Sequence, residues 1–419
     1  MSFLYNISIY SYLIAIQIAS LFNAKAKLWI VGRKDIFQKI QLAIAASKSQ
    51  SPNSKLIWFH CASLGEFEQG RPLMELMKKQ DSNIKILLTF FSPSGYEIRK
   101  NYSGADLIFY LPIDTPKYAQ QFIEIVKPAA VFFIKYEFWY NYLNELKNKN
   151  IPTYLVSGIF RKDHYFFKPL GSWFREQLNC FTHFYLQDEK SEKLLNSIAY
   201  TNTTVTGDTR FDRVSEIART VQKIDVVEQF VQGKNVLIIG SSWDEDEKII
   251  AKILENQKSK ILNYKIIIAP HEIDENHIQS IIQQFSNSKI IRYSQANAQT
   301  VSSADILIID NIGMLSSLYQ YGTIAYIGGG FGKGIHNILE AATFGLPIIF
   351  GPNYQKFTEA KDLIKSGGAF SIMDASEFEK TMLLLEDKDV LQTASHISKY
   401  YVQSKVGATE KILRSIPKT

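Results

Sequence analysis

Short runs of Ile, Leu, Val and Phe recur along most of this chain, separated by stretches with helical periodicity. After a polar spacer at Ser47–Ser54 they fall at Leu56–Cys61, Ile84–Phe90, Asp106–Leu111, Ala129–Ile134, Thr153–Val156 and Phe184–Leu186. A second series runs through Val236–Gly240, Lys265–Ala269, Asp305–Ile309, Ile324–Ile327 and Pro347–Phe350. Runs this apolar leave no face for water, so they predict parallel sheets covered on both sides by the intervening helices. Two series predict an α/β chain of two Rossmann-like domains. The charged helical stretch Asp212–Lys234 marks the boundary, giving a first domain over residues 25–212 and a second over 213–419. Ligands in such folds bind at the carboxyl ends of the strands, and two such edges would face each other across a cleft.

Residues 1–24 break this rhythm. They contain no Asp, Glu, Lys or Arg, they are rich in Phe, Leu and Ile from Phe3 to Phe22, and Lys25, Lys27, Arg33 and Lys34 follow at once. A charge-free segment of about 20 residues can span a bilayer, and cations just after it favour keeping the downstream chain in the cytoplasm. Ser2, Asn6, Gln17, Ser20 and Asn23 fall roughly on one helical face, so an amphipathic helix lying in the membrane interface competes with a spanning anchor. A packed soluble helix is the third possibility. The absence of a basic leader and of a clean small-x-small site argues against a cleaved signal peptide.

The chain has 419 residues, enough for two domains, and its 47 Lys and Arg against 41 Asp and Glu give a mild positive excess. That balance suits anionic substrates or an anionic membrane surface but is too small to argue for nucleic acid. Two cysteines, Cys61 and Cys180, make no disulfide framework and fit a reduced compartment. No cluster at metal-ligand spacing stands out.

The densest candidate chemistry is Gly328–Pro352, which reads as a glycine-rich turn, a short helix opened by His336 and Asn337, and a buried strand. Glycines let backbone amides approach an anion, and the helix start would aim its unpaired N–H groups at the same place. The usual nucleotide-loop signatures fail: Gly334 follows Gly332-Lys333 where a P-loop needs Ser or Thr, and Ile327 stands where its first glycine belongs. His336 and Glu340, four apart, would share a helix face, one meeting phosphate and the other ribose hydroxyls.

Further candidates end other strands. After the first, Gly65 would permit a tight turn and place Glu66 at a helix entrance, where a carboxylate could take a proton from a hydroxyl; the bland alternative is an acid complementing the helix dipole. Glu137 follows the fourth strand among aromatic neighbours and could bind sugar hydroxyls, or be an ordinary surface acid. In Gly240–Glu247, Ser242 is a candidate helix cap, and Asp244-x-Asp246 also satisfies a short metal-binding pattern, although first-turn acids explain it better. His271 ends a strand where an imidazole could contact a phosphate or a base. Arg210, in Gly207–Asp212, could meet an anionic ligand.

Taken in order, Ala62–Glu66, Glu137–Trp139, Gly207–Asp212, Gly240–Ser242, Asp310–Leu315 and Gly334–Glu340, behind the apolar N-terminus, resemble the 3-deoxy-D-manno-octulosonic acid (Kdo) transferases of lipopolysaccharide synthesis. The resemblance implies a GT-B fold at the cytoplasmic face of the inner membrane, with Kdo moved from CMP-Kdo to the 6'-hydroxyl of a lipid A precursor and with no metal or other cofactor required. By position, Glu66 would be the general base of an inverting transfer. Arg210, His271, Gly313, Met314, His336, Asn337 and Glu340 would line the CMP site, Gly332 would lie in its phosphate loop, and Glu137 would lie near the transferred sugar. The chain departs from the family pattern at Lys135 and Tyr136, at Ala269-Pro270-His271 and at Ser157-Gly158-Ile159. The same fold would also serve a UDP-sugar transferase or a UDP-N-acetylglucosamine 2-epimerase, and a catalytically dead, membrane-bound nucleotide sensor is the alternative outside enzymes.

Overall fold

The computed structural model describes residues 1–254 and 260–417. It divides into two compact units, Met1–Arg213 with Gly407–Thr419, and Val214–Val406.

The first unit holds β1 (Lys55–Cys61), β2 (Ile84–Phe90), β3 (Leu107–Tyr110), β4 (Ala130–Ile134), β5 (Thr153–Gly158), β6 (His183–Leu186) and β7 (Thr203–Val205). They form one sheet in the order β3-β2-β1-β4-β5-β6-β7, every pair parallel. Alternate residues of β1 explain why it reads as continuously apolar: Trp58 joins Phe122, Phe133 and Tyr142 on one side, while Ile57, Phe59 and Cys61 join Phe67, Phe132 and Ile134 on the other. Both faces are covered.

The second unit repeats the plan with β8 (Val236–Ser242), β9 (Lys265–Pro270), β10 (Ile290–Arg292), β11 (Ile306–Ile308), β12 (Ile324–Ile327), β13 (Ile348–Phe350) and β14 (Ala369–Ser371). Their order is β10-β11-β9-β8-β12-β13-β14, again all parallel. In each unit the first strand has its successor on one side and a later strand on the other. That reversal opens a crevice above the carboxyl ends of β1 and β4 in one unit, and of β8 and β12 in the other.

Three helices precede β1: α1 (Ser2–Ala19), α2 (Ala24–Val31) and α3 (Ile36–Gln50). Arg33, between α2 and α3, fastens them to the sheet. Its guanidinium donates to the carbonyls of Leu111 (2.8 Å), Phe91 (2.8 Å) and Trp29 (3.1 Å) and lies 3.7 Å over the Trp29 ring. Burial pulls its pKa down to about 9. At the other end of α1, the Tyr5 hydroxyl donates to Asp114 (2.5 Å) and Asn141 donates to Asn6 (2.9 Å).

The closing helix, Ala408–Ser415, belongs to the first unit, unlike the single 213–419 domain expected from sequence. Ile412 enters the core beside Phe67 and Ile134, and Asp212 accepts the N–H groups of Gly407 (2.6 Å) and Thr409 (2.7 Å). A helix start tied by an acid far back in the chain leaves no local signature.

Replacing Arg33 with Met should leave three carbonyls without their donor and destabilise the first unit by roughly 3 kcal/mol. Urea unfolding followed by far-UV circular dichroism would register this as a lowered midpoint; an unchanged midpoint would show that the guanidinium is not the fastening.

Candidate active site

The first unit's crevice collects several of the residues expected from sequence. Helix α4 (Leu64–Gln80) leaves β1 through a two-residue turn, with Ser63 as N-cap. Glu66 is its third residue, and one carboxylate oxygen accepts both the Ser63 N–H (3.1 Å) and the Ser63 hydroxyl. Gly65 is therefore a first-turn helical residue and not the turn glycine expected. Glu66 is half-buried, and Ser63 supplies its only hydrogen-bond donors among the described residues.

Glu137, beyond β4, is withdrawn from solvent, with 7% of its surface exposed. The Trp139 indole donates to it at 2.5 Å, and His60 Nε2 stands 3.2 Å from the same oxygen without hydrogen-bond alignment. His60 Nδ1 meets the Thr89 hydroxyl at 2.9 Å, which also accepts from Trp58 (2.7 Å). A buried polar row thus backs Glu137 through the sheet. Burial raises the Cys61 thiol, with Glu66, Glu137 and Glu68 reinforcing the shift, which places these acids around the end of β1.

Tyr136 marks the exposed side of the crevice. Burial raises its hydroxyl's pKa; Arg161 and Arg210 oppose the shift, while Glu66 and Asp188 add to it. Arg210 belongs to the first unit and lies against Asp208, with Nε–Oδ2 and Nη2–Oδ2 distances of 2.8 Å each. Although burial acts to raise it, the net pKa of Asp208 is lowered by Arg210 and by hydrogen bonds.

In the second unit the crevice is built around Asp246, third residue of the helix Asp244–Leu254. One oxygen accepts the N–H groups of Trp243 (3.0 Å) and Gly329 (2.9 Å), and the other accepts the Tyr326 hydroxyl (2.6 Å). The side chain is buried, which pushes its pKa up. Asp244 is bonded to Lys248 and Gln284. These two acids are committed to protein partners and do not converge on a metal. Ser242 lies inside β8 and donates to Glu247 (2.7 Å), so it is not the helix cap expected.

The glycine-rich loop is shaped by close approach. A Cβ on Gly328 would fall 2.3 Å from the Ser241 carbonyl and one on Gly330 would fall 2.5 Å from the Gly351 nitrogen, whereas one on Gly332 would meet nothing nearer than 3.7 Å. Much of the loop's hydrogen bonding is internal: Gly332 and Gly334 donate to Gly329, Ile335 to Asn353 and His336 to Gly328. The following helix runs only from Leu339 to Ala342. His336 and Asn337 precede it, so His336 and Glu340 do not share a helix face, and a single turn adds little dipole. Asn337 accepts the Leu339 N–H (3.1 Å) and donates to Glu340 (3.0 Å).

Three aromatic rings meet over this edge. His271, after β9, stacks on Trp243 at 4.6 Å and on His336 at 4.4 Å, and the Trp243 indole donates to His336 Nε2 at 3.0 Å. His336 is therefore a neutral imidazole carrying its proton on Nδ1. Burial, then the His271 charge, lowers its pKa to about 4, and burial lowers that of His271 too. Trp243 was not among the residues singled out from sequence; its signal was an indole directly after a strand-ending Gly-Ser-Ser. Gly313 and Met314 lie in the loop beyond β11, on the same edge, with Gly313 at φ +95°. Glu272, Asp274 and His277 bring ligand atoms within 4.8 Å of one another, but Asp274 caps the helix Glu275–Gln284 and His277 is bonded to Glu247 at 2.9 Å.

Two Rossmann-like units in one chain, each with polar and aromatic side chains at its switch-point crevice, define a GT-B type of fold. The crystal structure of UDP-GlcNAc 2-epimerase from Neisseria meningitidis matches with a TM-score of 0.60 at 16% identity, over 87% of this chain and 100% of that one. Acinetobacter baumannii MurG matches at 0.53 and 12%, over 87% and 100%. These likenesses concern the fold. Residues 35–213 match the model of the 3-deoxy-D-manno-octulosonic-acid transferase (kdotransferase) family. A Rickettsia bellii 3-deoxy-D-manno-octulosonic acid transferase is 27% identical over 361 residues, 85% of each chain. The chain is thus similar to the Kdo transferases along most of its length, and the family model matches its first unit.

Long-range nitrogen-proton spectra at pH 7 should show His336 as the Nδ1–H tautomer, titrating near pH 4. A depressed imidazole pKa contributes stability that is present above about 6.5 and lost as pH falls toward 4. Trp243→Phe should raise the pKa by removing the donor that favours the neutral ring. A proton on Nε2 at pH 7 would contradict the arrangement.

Proposed function

We propose that the protein is an inverting glycosyltransferase that moves Kdo from CMP-Kdo to the 6'-hydroxyl of a lipid A precursor, with Glu66 as general base. The carboxylate takes the proton as the hydroxyl oxygen bonds to the anomeric carbon, and the bond to the CMP phosphate breaks with its electron pair leaving on the phosphate oxygen. One observation carries this assignment. Glu66 stands half-exposed at the first unit's switch point with partners, among the described residues, only from its own turn, whereas Asp246, at the same helix position in the second unit, is buried under three donors.

On the donor side, His271, His336, Asn337, Glu340, Gly313 and Met314 would surround CMP, with Gly332 at the tip of the phosphate loop. His336 would offer phosphate an uncharged Nδ1–H, and Arg210 would meet an anionic group from the first unit. Glu137, held by Trp139, would shape the sugar pocket from behind. The match of residues 35–213 to the Kdo transferase model, with the similarity to the Rickettsia bellii transferase, favours this reading over a UDP-sugar enzyme, for which only the fold speaks.

We also propose that α1 lies in the plane of the inner membrane's cytoplasmic face. It is long and apolar enough to span, yet one side is tied to the first unit through Tyr5, Asn6 and Tyr12, whose ring meets Trp29 and Phe91. The opposite side exposes Phe3, Leu4, Ile7, Ile14, Ile18, Leu21 and Phe22.

Glu66→Gln keeps a side chain able to accept from Ser63, so melting temperature and CMP binding should hold while Kdo transfer falls by about 10² to 10⁴. Unchanged turnover would remove Glu66 from the chemistry, and turnover with a UDP-sugar but not CMP-Kdo would replace the donor assignment. For α1, a cysteine at Ser2 in sealed vesicles bearing the protein body outside should react with a membrane-impermeant maleimide; protection would mean the helix crosses the bilayer.

A further inference from the structure

Beside the first unit's crevice lies a cavity of about 480 Å³ whose walls are almost wholly aromatic. Tyr5 of α1 and Trp173 form one wall, with ring centroids 5.9 Å apart. Phe138 and Phe166 pack at 4.8 Å to form the floor, and Phe174 stacks under Tyr165 at 5.0 Å. The one formally charged lining residue is Arg161, at the end shared with Tyr136. Carboxylates are absent from the lining. The volume falls in the range of ordinary small-ligand sites, roughly 300–1,000 Å³.

Neither the core nor the donor chemistry accounts for such a space. Its chemistry is graded, with a cation beside Tyr136 and Glu66 at one end and aromatic surface at the other. Among the lining residues Tyr165 is 69% exposed, so the aromatic wall reaches the protein surface. One wall belongs to α1, whose far side is the exposed apolar run from Phe3 to Phe22. The cavity and that apolar surface therefore share one helix, and Arg161 stands at the cavity's Tyr136 end.

We propose that this cavity is an acyl-chain subsite: it takes one hydrocarbon chain of an anionic lipid acceptor, with Arg161 at the headgroup end. The proposal deepens the acceptor side of the transferase reading and rests on it for the acceptor's identity. An occupied cavity would hold the lipid by a buried chain while its sugar hydroxyl lies beside Glu66. Burial of even part of a hydrocarbon chain removes enough apolar surface from water to set acceptor affinity.

The test has a binding arm and a kinetic arm, both on the full chain. Dodecyl phosphate bearing a terminal diazirine should, on irradiation, label the segment His164–Gln177, and Phe166→Trp, which fills the floor, should suppress that labelling. Labelling confined to α1 or to the second unit would overturn the proposal. In the kinetic arm, Tyr165→Ala and Phe174→Ala should raise KM for an acylated acceptor about tenfold, a loss of about 1.4 kcal/mol, with kcat and the KM of the deacylated disaccharide little changed. Equal KM increases for both acceptors would also overturn it, pointing instead to a sugar-stacking surface. Tyr165 is exposed enough that its truncation leaves the core intact, and a melting curve checks this. Labelling at His164–Gln177 without any Kdo transfer would sink the transferase reading and leave the chain-binding cavity standing.

Discussion

A single device organises the crevice edge of each unit: an acid at the third position of the first helix turns back to accept the N–H of the residue that caps that helix. Glu66 does so to Ser63 and Asp246 to Trp243. The bond closes the turn by which a strand gives way to a helix, satisfying a donor the helix itself leaves unpaired. What differs is what else each carboxylate holds. Asp246 also fastens Gly329 and Tyr326, so the glycine-rich loop, β12 and the helix share one buried anion. Glu66 holds only its own turn and keeps one oxygen without a described partner. Identical local geometry thus yields a structural anion in one unit and an available one in the other.

Around these two acids the backbone is bent where regular pairing would otherwise continue. Lys135, Ser157 and Ser241 occupy the left-handed region at φ +73°, +53° and +53°. The pairing of β5 with β6 and of β8 with β9 shifts register near the second and third of them. Non-glycine residues in that region carry strain of order 1–3 kcal/mol and need rigid surroundings. Here the surroundings are fully buried parallel strands, rigid enough to hold the departing loops in set directions. Gly328 and Gly330 serve the same end by letting the loop lie directly on Ser241 and Gly351.

Most of the fold was legible because parallel strands buried on both faces are continuous in apolar residues, and every such run identified from sequence overlaps a strand. The three-residue edge strands β10 and β14 escaped, being too short to stand out from their surroundings. Local patterns misled where a side chain's partner is distant. Ser242 reads as a cap and Gly65 as a turn, and Asp246 reads as a first-turn acid, which it is, yet its further contacts with Tyr326 and Gly329 come only with the folded sheet. Asp212 reaching Gly407 is the extreme case. His336 was singled out because a glycine-rich turn precedes it, and Glu66 and His271 because each follows a strand end. Trp243 has the same position, but its role depends on two histidines from other strands.

The Trp243–His336 bond has a consequence for how an anion is held. An imidazolium would attract phosphate in every state of the reaction, tightening the donor and the departing nucleotide alike. A neutral ring, kept so by burial and by the indole N–H on Nε2, offers directed hydrogen bonding from Nδ1 with little long-range pull. Under the proposed chemistry, negative charge accumulates on the phosphate oxygen only as its bond to Kdo breaks. A dipolar donor gains most from that increment, so its stabilisation is weighted toward the transition state and away from the bound donor. The second unit's ring stack is thus suited to speeding departure while leaving ground-state donor affinity modest.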